Sequence, residues 1–525
     1  IYFAAIMYYK YFGIIVTYRS LQQAGMVTEI NASVFNLMHP YFLLIYVDIV
    51  ILAILLWRRP GFRTHLRTRA LSFNRKSRII ISLFLIALLA NVTRVNAHKD
   101  IVNDVKRAER MGLINYEIFT IFKDLQPPAR VDPSIITLDG IRELKGITDP
   151  NPPLPEISAK DKHVIVVQLE SFQDFLIGLE VNGQEITPNL NRFAREAHYF
   201  PNVYQQVGQG NTSDAEFVLN TSLYTPERGA ASEEYSKFDL PSLPKLLKSY
   251  GYESLTFHTN DVAFWNRKNL YAALGFDEYY DAEFFDDEDM IAFGSSDEVL
   301  YERAVEVIGD KHRQGKKVYA NLISMSAHHP YHLPSEKILI DLPPEYDNTL
   351  VGDYLRAQHY ADYAFGVLVE ELKAQGLWDE AVLFVYGDHV GLTMNLLTNE
   401  EKGLLRQLLG KEYSYDEMLN IPLMIRVPGE TGQVFAGLGG QVDFLPTLAY
   451  LLEIPLDDHI YFGQNLYAGL PNLLGQRYYL PSGSFINDSL VFIPGEEIRD
   501  GLIVPLETES GKALNMQQQQ VSFEQ

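Results

Sequence analysis

Apolar positions concentrate in three runs within the first hundred residues. Ile1–Val16 is apolar and aromatic, broken by Lys10; Tyr41–Trp57 (YFLLIYVDIVILAILLW) is interrupted only by Asp48; Ile79–Val95 forms the third. Each approaches the roughly 17–25 residues that a helix needs to cross a bilayer. Between the second and third runs stand Arg58, Arg59, Arg63, Arg67, Arg69, Arg75, Lys76 and Arg78, with no Asp or Glu. Such a segment reads as a cytoplasmic loop. Tyr41–Trp57 then runs inward, Ile79–Val95 runs outward, and everything after about Asn96 lies outside. The chain opens inside an apolar run without an initiator Met, so residues upstream of Ile1 are expected.

Beyond the third run the pattern changes twice. Residues 98–125 place Ile101, Val105, Met111, Ile114, Ile118, Ile121 and Phe122 at helical spacing, which predicts a helix near the membrane surface or against the next domain. Residues 126–156 carry seven prolines (Pro127, Pro128, Pro133, Pro150, Pro152, Pro153, Pro155) and read as an extended connector. From about Asp161, short β-rich runs alternate with helical stretches. Strands are predicted over His163–Leu169, Ser254–Phe257, Val318–Met325, Ala381–Tyr386 and Pro422–Val427, with helices over Ser242–Ser249 and Asp353–Gln375. This is the signature of an α/β sheet with helices on both faces. The expected organisation is transmembrane helices over 1–96, a juxtamembrane helix and linker over 97–156, an external catalytic domain over 157–475, and a small C-terminal subdomain and tail over 476–525. Met516–Gln525, with its glutamine run, reads as a disordered tail.

Composition narrows the chemistry. The chain has 525 residues, 47% of them hydrophobic, and no cysteine, which excludes disulfides and thiolate metal sites. A formal net charge of -23 argues against nucleic-acid binding. It also means that any anionic substrate must be held by a metal or a few placed bases.

Polar groups cluster just after the predicted strands. Glu170 and Ser171 follow VIVVQL; His258, Asn260 and Asp261 follow SLTF; His328 and His329 follow NLISMSA; Asp388 and His389 follow VLFVYG. Ligands of open α/β sheets bind beyond the carboxyl ends of the strands. Taken singly, Glu170 reads equally well as a solvated strand end, Asp388-His389 as a turn and His328-His329-Pro330 as a strand terminus. Four together at one sheet edge point to a site. Thr212 and Ser213 in GQGNTSDAEF mark a helix start, and Ser213 with Glu216 three residues later forms a capping-box pattern. A helix N-terminus suits phosphate binding, and a threonine there is placed to act as a nucleophile. Glu170, Asp388 and His389 supply two carboxylates and an imidazole, with Thr212 oxygen as the fourth ligand. Such a set suits Mn2+ or Mg2+, with Zn2+ as a further option.

The motifs QLESFQ (Gln168–Gln173), GQGNTSDAEF (Gly208–Phe217), FWNR (Phe264–Arg267), HHPY (His328–Tyr331), YGDHVG (Tyr386–Gly391) and QVDFLPT (Gln441–Thr447) resemble those of the lipoteichoic acid synthases, in order and spacing. The resemblance covers almost the whole chain. It implies an alkaline-phosphatase/sulfatase-like mixed sheet preceded by transmembrane helices, two of a usual five lying upstream. It implies Glu170, Thr212, Asp388 and His389 at the metal, Thr212 as nucleophile, and Trp265, Arg267 and His328 around glycerol phosphate. The implied reaction moves glycerol phosphate from phosphatidylglycerol to a glycolipid or polyglycerolphosphate acceptor, outside the cell, with release of the domain by cleavage as an option. Asn211, Val390 and Thr393 depart from the family pattern around the pocket and bear on the acceptor, synthase versus primase included. Sulfatase activity would need Cys or Ser in C/S-x-P-x-R, whereas the nearest segment, Tyr224–Arg228 (YTPER), begins with tyrosine. Phosphoethanolamine transfer is the enzymatic alternative, and a membrane sensor on an inactive hydrolase fold the non-enzymatic one.

Overall fold

The computed structural model describes residues 2–23, 38, 40–58, 75–126, 136–147, 152–457 and 459–506. Most of the basic loop, much of the Pro-rich connector and the glutamine-rich tail lie outside the described residues.

The three apolar runs do not behave alike. The first forms α1 (Tyr2–Phe12), which stops well short of Val16. Gly13 takes φ +74°, and the chain turns onto the large domain. The described part of this helix covers 11 residues. The other two runs give helices long and apolar enough to cross. One is Tyr41–Arg58, which includes α2 (Val47–Arg58), and the other is Arg78–His98 within α3 (Arg75–His98). Leu44, Ile49, Leu83, Phe84 and Ile86 are exposed along them, an apolar surface that lipid would cover. The helix expected over 98–125 is two helices, α4 (Asp104–Met111) and α5 (Leu113–Asp124), broken at Gly112 with φ +86°.

The large domain is built on a nine-stranded mixed sheet. Its strands are β1 (His163–Leu169), β2 (His198–Tyr204), β3 (Tyr252–His258), β4 (Glu278–Tyr280), β5 (Lys317–Ile323), β6 (Ala381–Gly387), β7 (Asn420–Arg426), β8 (Gln433–Val434) and β9 (Gly439–Gly440). The order is β8-β2-β7-β6-β1-β5-β3-β4, with β9 also pairing β2. From β6 to β4 the pairs are parallel, while β7 runs antiparallel to both β6 and β2. Every residue of β1 and β6 is buried, which explains why they read as unbroken apolar runs rather than alternating ones. Helices α6 (Pro188–Glu196), α7 (Thr212–Thr221), α8 (Arg267–Leu274), α9 (Asp297–Arg313), α10 (Leu350–Ala374) and α11 (Phe444–Leu451) complete the domain. Helix α9 packs along α10, and α7 packs on α11. A second, antiparallel sheet follows: β10 (Leu473–Gln476), β11 (Ser484–Asn487), β12 (Leu490–Ile493) and β13 (Leu502–Pro505).

Parallel pairing sets the position of the site. Leu169 of β1 pairs Gly387 of β6, and Ile323 of β5 pairs both Gln168 of β1 and His258 of β3. The residues after these strands therefore emerge at one sheet edge.

Candidate metal centre

Glu170 and Asp388 leave adjacent strands at the same level, and His389 follows directly. Donor atoms of these three buried residues lie within 4.8 Å of one another. Local backbone fixes each one. Asp388 Oδ1 accepts the N–H groups of Ser171 at 2.8 Å and His389 at 2.7 Å. Its Oδ2 is buried and finds no hydrogen-bond partner among the described residues. Ser171, held at φ +53°, donates its hydroxyl to Glu170 Oε1 at 2.6 Å. His389 Nδ1 lies 3.0 Å from the Val390 carbonyl, an acceptor that fixes the proton on Nδ1. Nε2 then presents a lone pair to Asp388 Oδ2 at 3.5 Å and Glu170 Oε1 at 3.6 Å.

Lone pairs facing one another in a buried space call for a positive charge. Burial pushes the Asp388 carboxyl above its ordinary range; His389 opposes the rise and Glu170 adds to it. For His389 burial acts to lower the pKa, but Asp388 and then Glu170 outweigh it and raise it. A divalent cation answers the same demand, and the donor set of carboxylate and imidazole fits one. Close packing leaves the loops little freedom. A Cβ on Gly387 would come within 1.9 Å of the Phe172 carbonyl oxygen, and one on Gly391 within 2.6 Å of the Ser171 carbonyl oxygen.

Thr212 enters from the first turn of α7. Its Oγ1 lies 3.3 Å from Glu170 Oε2 and 3.4 Å from His389 Nε2. The preceding loop is organised by Asp214, whose carboxylate accepts N–H bonds from Gly208 (2.9 Å), Gly210 (2.9 Å) and Ala231 (2.7 Å). Both glycines are needed for this approach: a Cβ on Gly210 would sit 2.5 Å from Asp214 Oδ1, and one on Gly208 2.9 Å from Oδ2. Sequence reasoning overlooked Asp214, although the Gly-x-Gly-x-x-x-Asp spacing carries the signal. It also overlooked Gln168 and Gln441. Gln168 Nε2 donates to the Thr212 carbonyl at 3.1 Å, and Gln441 Nε2 to the Asp388 carbonyl at 2.6 Å.

The capping box expected between Ser213 and Glu216 is absent. Ser213 Oγ donates to the Gly210 carbonyl at 3.0 Å. Glu216 instead accepts from Arg267 Nε and from the Tyr271 hydroxyl, each at 2.8 Å. Arg267 is accordingly buried, at 1% exposure, and only part of its guanidinium fork is left for a phosphate. Nη1 is buried without a partner among the described residues, and the Glu170 charge reaches the guanidinium. Trp265 is half-buried with φ +56°, and Asn266 beside it has φ +52°. The Trp265 and His328 loops meet through a chain of rings, Trp265–Phe264, Phe264–Phe293 and Phe293–His328, with centroids 5.9, 5.9 and 4.8 Å apart. Burial, and then the Arg267 charge, hold His258 well below its ordinary pKa.

The chain is similar to known proteins. Residues 162–454 match the sulfatase family, and residues 1–131 match the lipoteichoic acid synthase N-terminal domain. Lipoteichoic acid synthase 1 of Bacillus subtilis is 32% identical over 89% of this chain and 73% of its own length. Lipoteichoic acid synthase of Staphylococcus aureus is 27% identical over 94% of this chain and 76% of its own length. The crystal structure of the lipoteichoic acid synthase LtaP from Listeria monocytogenes is 35% identical, with TM-score 0.68 over 74% of this chain and 95% of that one.

Proposed function

We propose that this chain, which belongs to the sulfatase family and within it to the lipoteichoic acid synthases, moves glycerol phosphate from phosphatidylglycerol to a polyglycerolphosphate chain or its glycolipid primer. The observation that carries the reading is the position of Thr212 Oγ1, 3.3 Å from Glu170 and 3.4 Å from His389 at a helix N-terminus. A hydroxyl so placed is a nucleophile in waiting.

Glu170, Asp388, His389 and Thr212 would hold the metal, for which we infer Mn2+, with Mg2+ or Zn2+ as alternatives. When bound, a divalent cation polarises phosphoryl oxygens and lowers the threonine pKa. Thr212 Oγ1 attacks the phosphorus of phosphatidylglycerol, and the bond to the diacylglycerol oxygen breaks. Diacylglycerol leaves as the free alcohol, and glycerophosphate stays on Thr212. The terminal hydroxyl of the acceptor then attacks the same phosphorus and releases Thr212. The positive end of the α7 dipole favours an anion beside Thr212, while the N–H groups of Ser213, Asp214 and Ala215 are themselves taken by the Gly210 and Asn211 carbonyls. Arg267 and His328 offset the phosphate charge, and Trp265 packs against the glycerol. The arginine-rich segment after the second apolar run supports an outward-facing catalytic domain, anchored by Tyr41–Arg58 and Arg78–His98.

Fluorescent phosphatidylglycerol incubated with the protein and Mn2+ is expected to yield fluorescent diacylglycerol. Added glycolipid should be converted to a glycerophosphorylated product. Absence of diacylglycerol release with every one of the three metals overturns the proposal.

A further inference from the structure

The last turn of α1 and the segment after it do not sit apart from the catalytic domain; they lie across the site. The Thr393 hydroxyl, four residues after His389, donates to the Tyr11 carbonyl at 3.1 Å. The Tyr11 ring meets His329 edge-on, with centroids 5.1 Å apart. Phe12 packs on Tyr478 and Tyr479 at 5.0 and 5.9 Å, and Tyr8 hydrogen-bonds Tyr478 through their hydroxyls. Tyr479 in turn donates its hydroxyl to Asn211 Oδ1 at 2.8 Å, immediately before Thr212. Gln209 of the same loop donates to the Ser20 hydroxyl at 3.0 Å, and Arg19 pairs with Asp124 and Glu234. The turn at Gly13 is tight: with φ +74°, a Cβ there would come 2.9 Å from Asn395 Nδ2.

We propose that residues Tyr8–Ser20 form one wall of the active site and that Tyr11 is a substrate-contacting residue whose hydroxyl donates to the phosphodiester of a bound lipid headgroup. This rests on the phosphatidylglycerol reading above. Tyr11 is half-buried, as a residue lining an open site should be. A tyrosine phenol is neutral at physiological pH and can donate to a phosphate oxygen. Geometry supplies the reason for a wall from this part of the chain. The acyl tails of the substrate remain in the bilayer, so its headgroup must enter from the membrane side. The segment that precedes the Tyr41–Arg58 span touches both the loop before Thr212 and the loop after His389.

Two measurements on the full chain test this. The first is the kinetics of Tyr11→Phe and Tyr11→Ala with phosphatidylglycerol in mixed micelles and with the soluble phosphodiester bis(p-nitrophenyl) phosphate. Loss of a hydrogen bond to a charged oxygen is expected to lower kcat/KM roughly tenfold to a hundredfold in Tyr11→Phe. Bound metal and Tm should stay at wild-type values. Tyr11→Phe with wild-type kcat/KM on both substrates overturns the contact. If the wild type cleaves the soluble diester but not phosphatidylglycerol, the proposed function fails, while the effect of Tyr11→Phe on the soluble diester still decides this inference. The second is cross-linking. The chain has no cysteine, so Gly13→Cys with Asn395→Cys creates a single possible disulfide. Its formation in membranes under mild oxidation supports the wall, and its absence, with each thiol still labelled by maleimide, overturns it.

Discussion

Thr212 and Arg267 behave differently at the level of single side chains, and the structure says why. Thr212 Oγ1 caps nothing, its hydrogen-bonding distances being to Glu170 and His389. Thr212→Ala should therefore keep the fold and the Tm while turnover vanishes. Thr212→Ser should retain part of the activity, since it keeps the hydroxyl and loses the methyl that restricts the rotamer. Wild type given phosphatidylglycerol without acceptor should carry glycerophosphate on the Thr212 peptide by mass spectrometry; an unmodified peptide points to direct transfer. Arg267→Ala is a different experiment. It strands Glu216, 1% exposed as a side chain, without its ion-pair partner. Breaking a buried pair by removing one partner costs about 3–5 kcal/mol. Lower activity in Arg267→Ala should thus come with a clearly lower Tm. An unchanged Tm would mean that Glu216 finds another partner.

The loop and helix that carry Thr212 act as one element, and Asp214 is its centre. Asp214→Ala frees three buried backbone N–H groups, each worth about 1–3 kcal/mol when left unsatisfied. Turnover should fall by more than tenfold through misplacement of Thr212, whereas Glu170, Asp388 and His389 keep their geometry and their metal. Metal analysis beside kinetics reads the two apart. Elements like this one mark where the sequence was legible and where it was not. HVIVVQL and AVLFVY were readable because both faces of central parallel strands are covered. The strand HYFPNVY escaped notice because Pro201 and Asn202 interrupt it and leave no apolar run longer than two residues. The candidate metal cluster was visible as acids and a histidine at strand ends, and Glu170, Asp388 and His389 do come together. Glu216 was misread because only a local partner, Ser213, is apparent along the chain. Arg267, which captures it, comes from 51 residues away. Tyr11 was hidden for a similar reason: its contacts, Thr393 and His329, lie more than three hundred residues away along the chain.

Across the whole molecule, metal and architecture are coupled. Two buried carboxylates after two central strands, Glu170 and Asp388, repel one another without a cation, so a chelator should abolish turnover and lower the Tm. Mn2+ should restore both, with a gain that grows with free metal concentration. Turnover that persists through exhaustive chelation contradicts the assignment. Topology is checked on spheroplasts, where added protease should remove the large domain, and full protection would reverse the orientation. Strand order has one more consequence, for biogenesis. β6 fits between β1 and β7 although 211 residues, 170–380, separate the end of β1 from the start of β6. A chain emerging from the ribosome only as far as Glu380 carries Glu170 and Thr212 but neither Asp388 nor His389. Such a nascent chain has no ion trap, and the long-range closure that creates one is slow because it joins distant segments. Loading is thereby postponed until the whole sheet has been delivered, so the ion acquired reflects the compartment in which folding ends rather than the one in which synthesis begins.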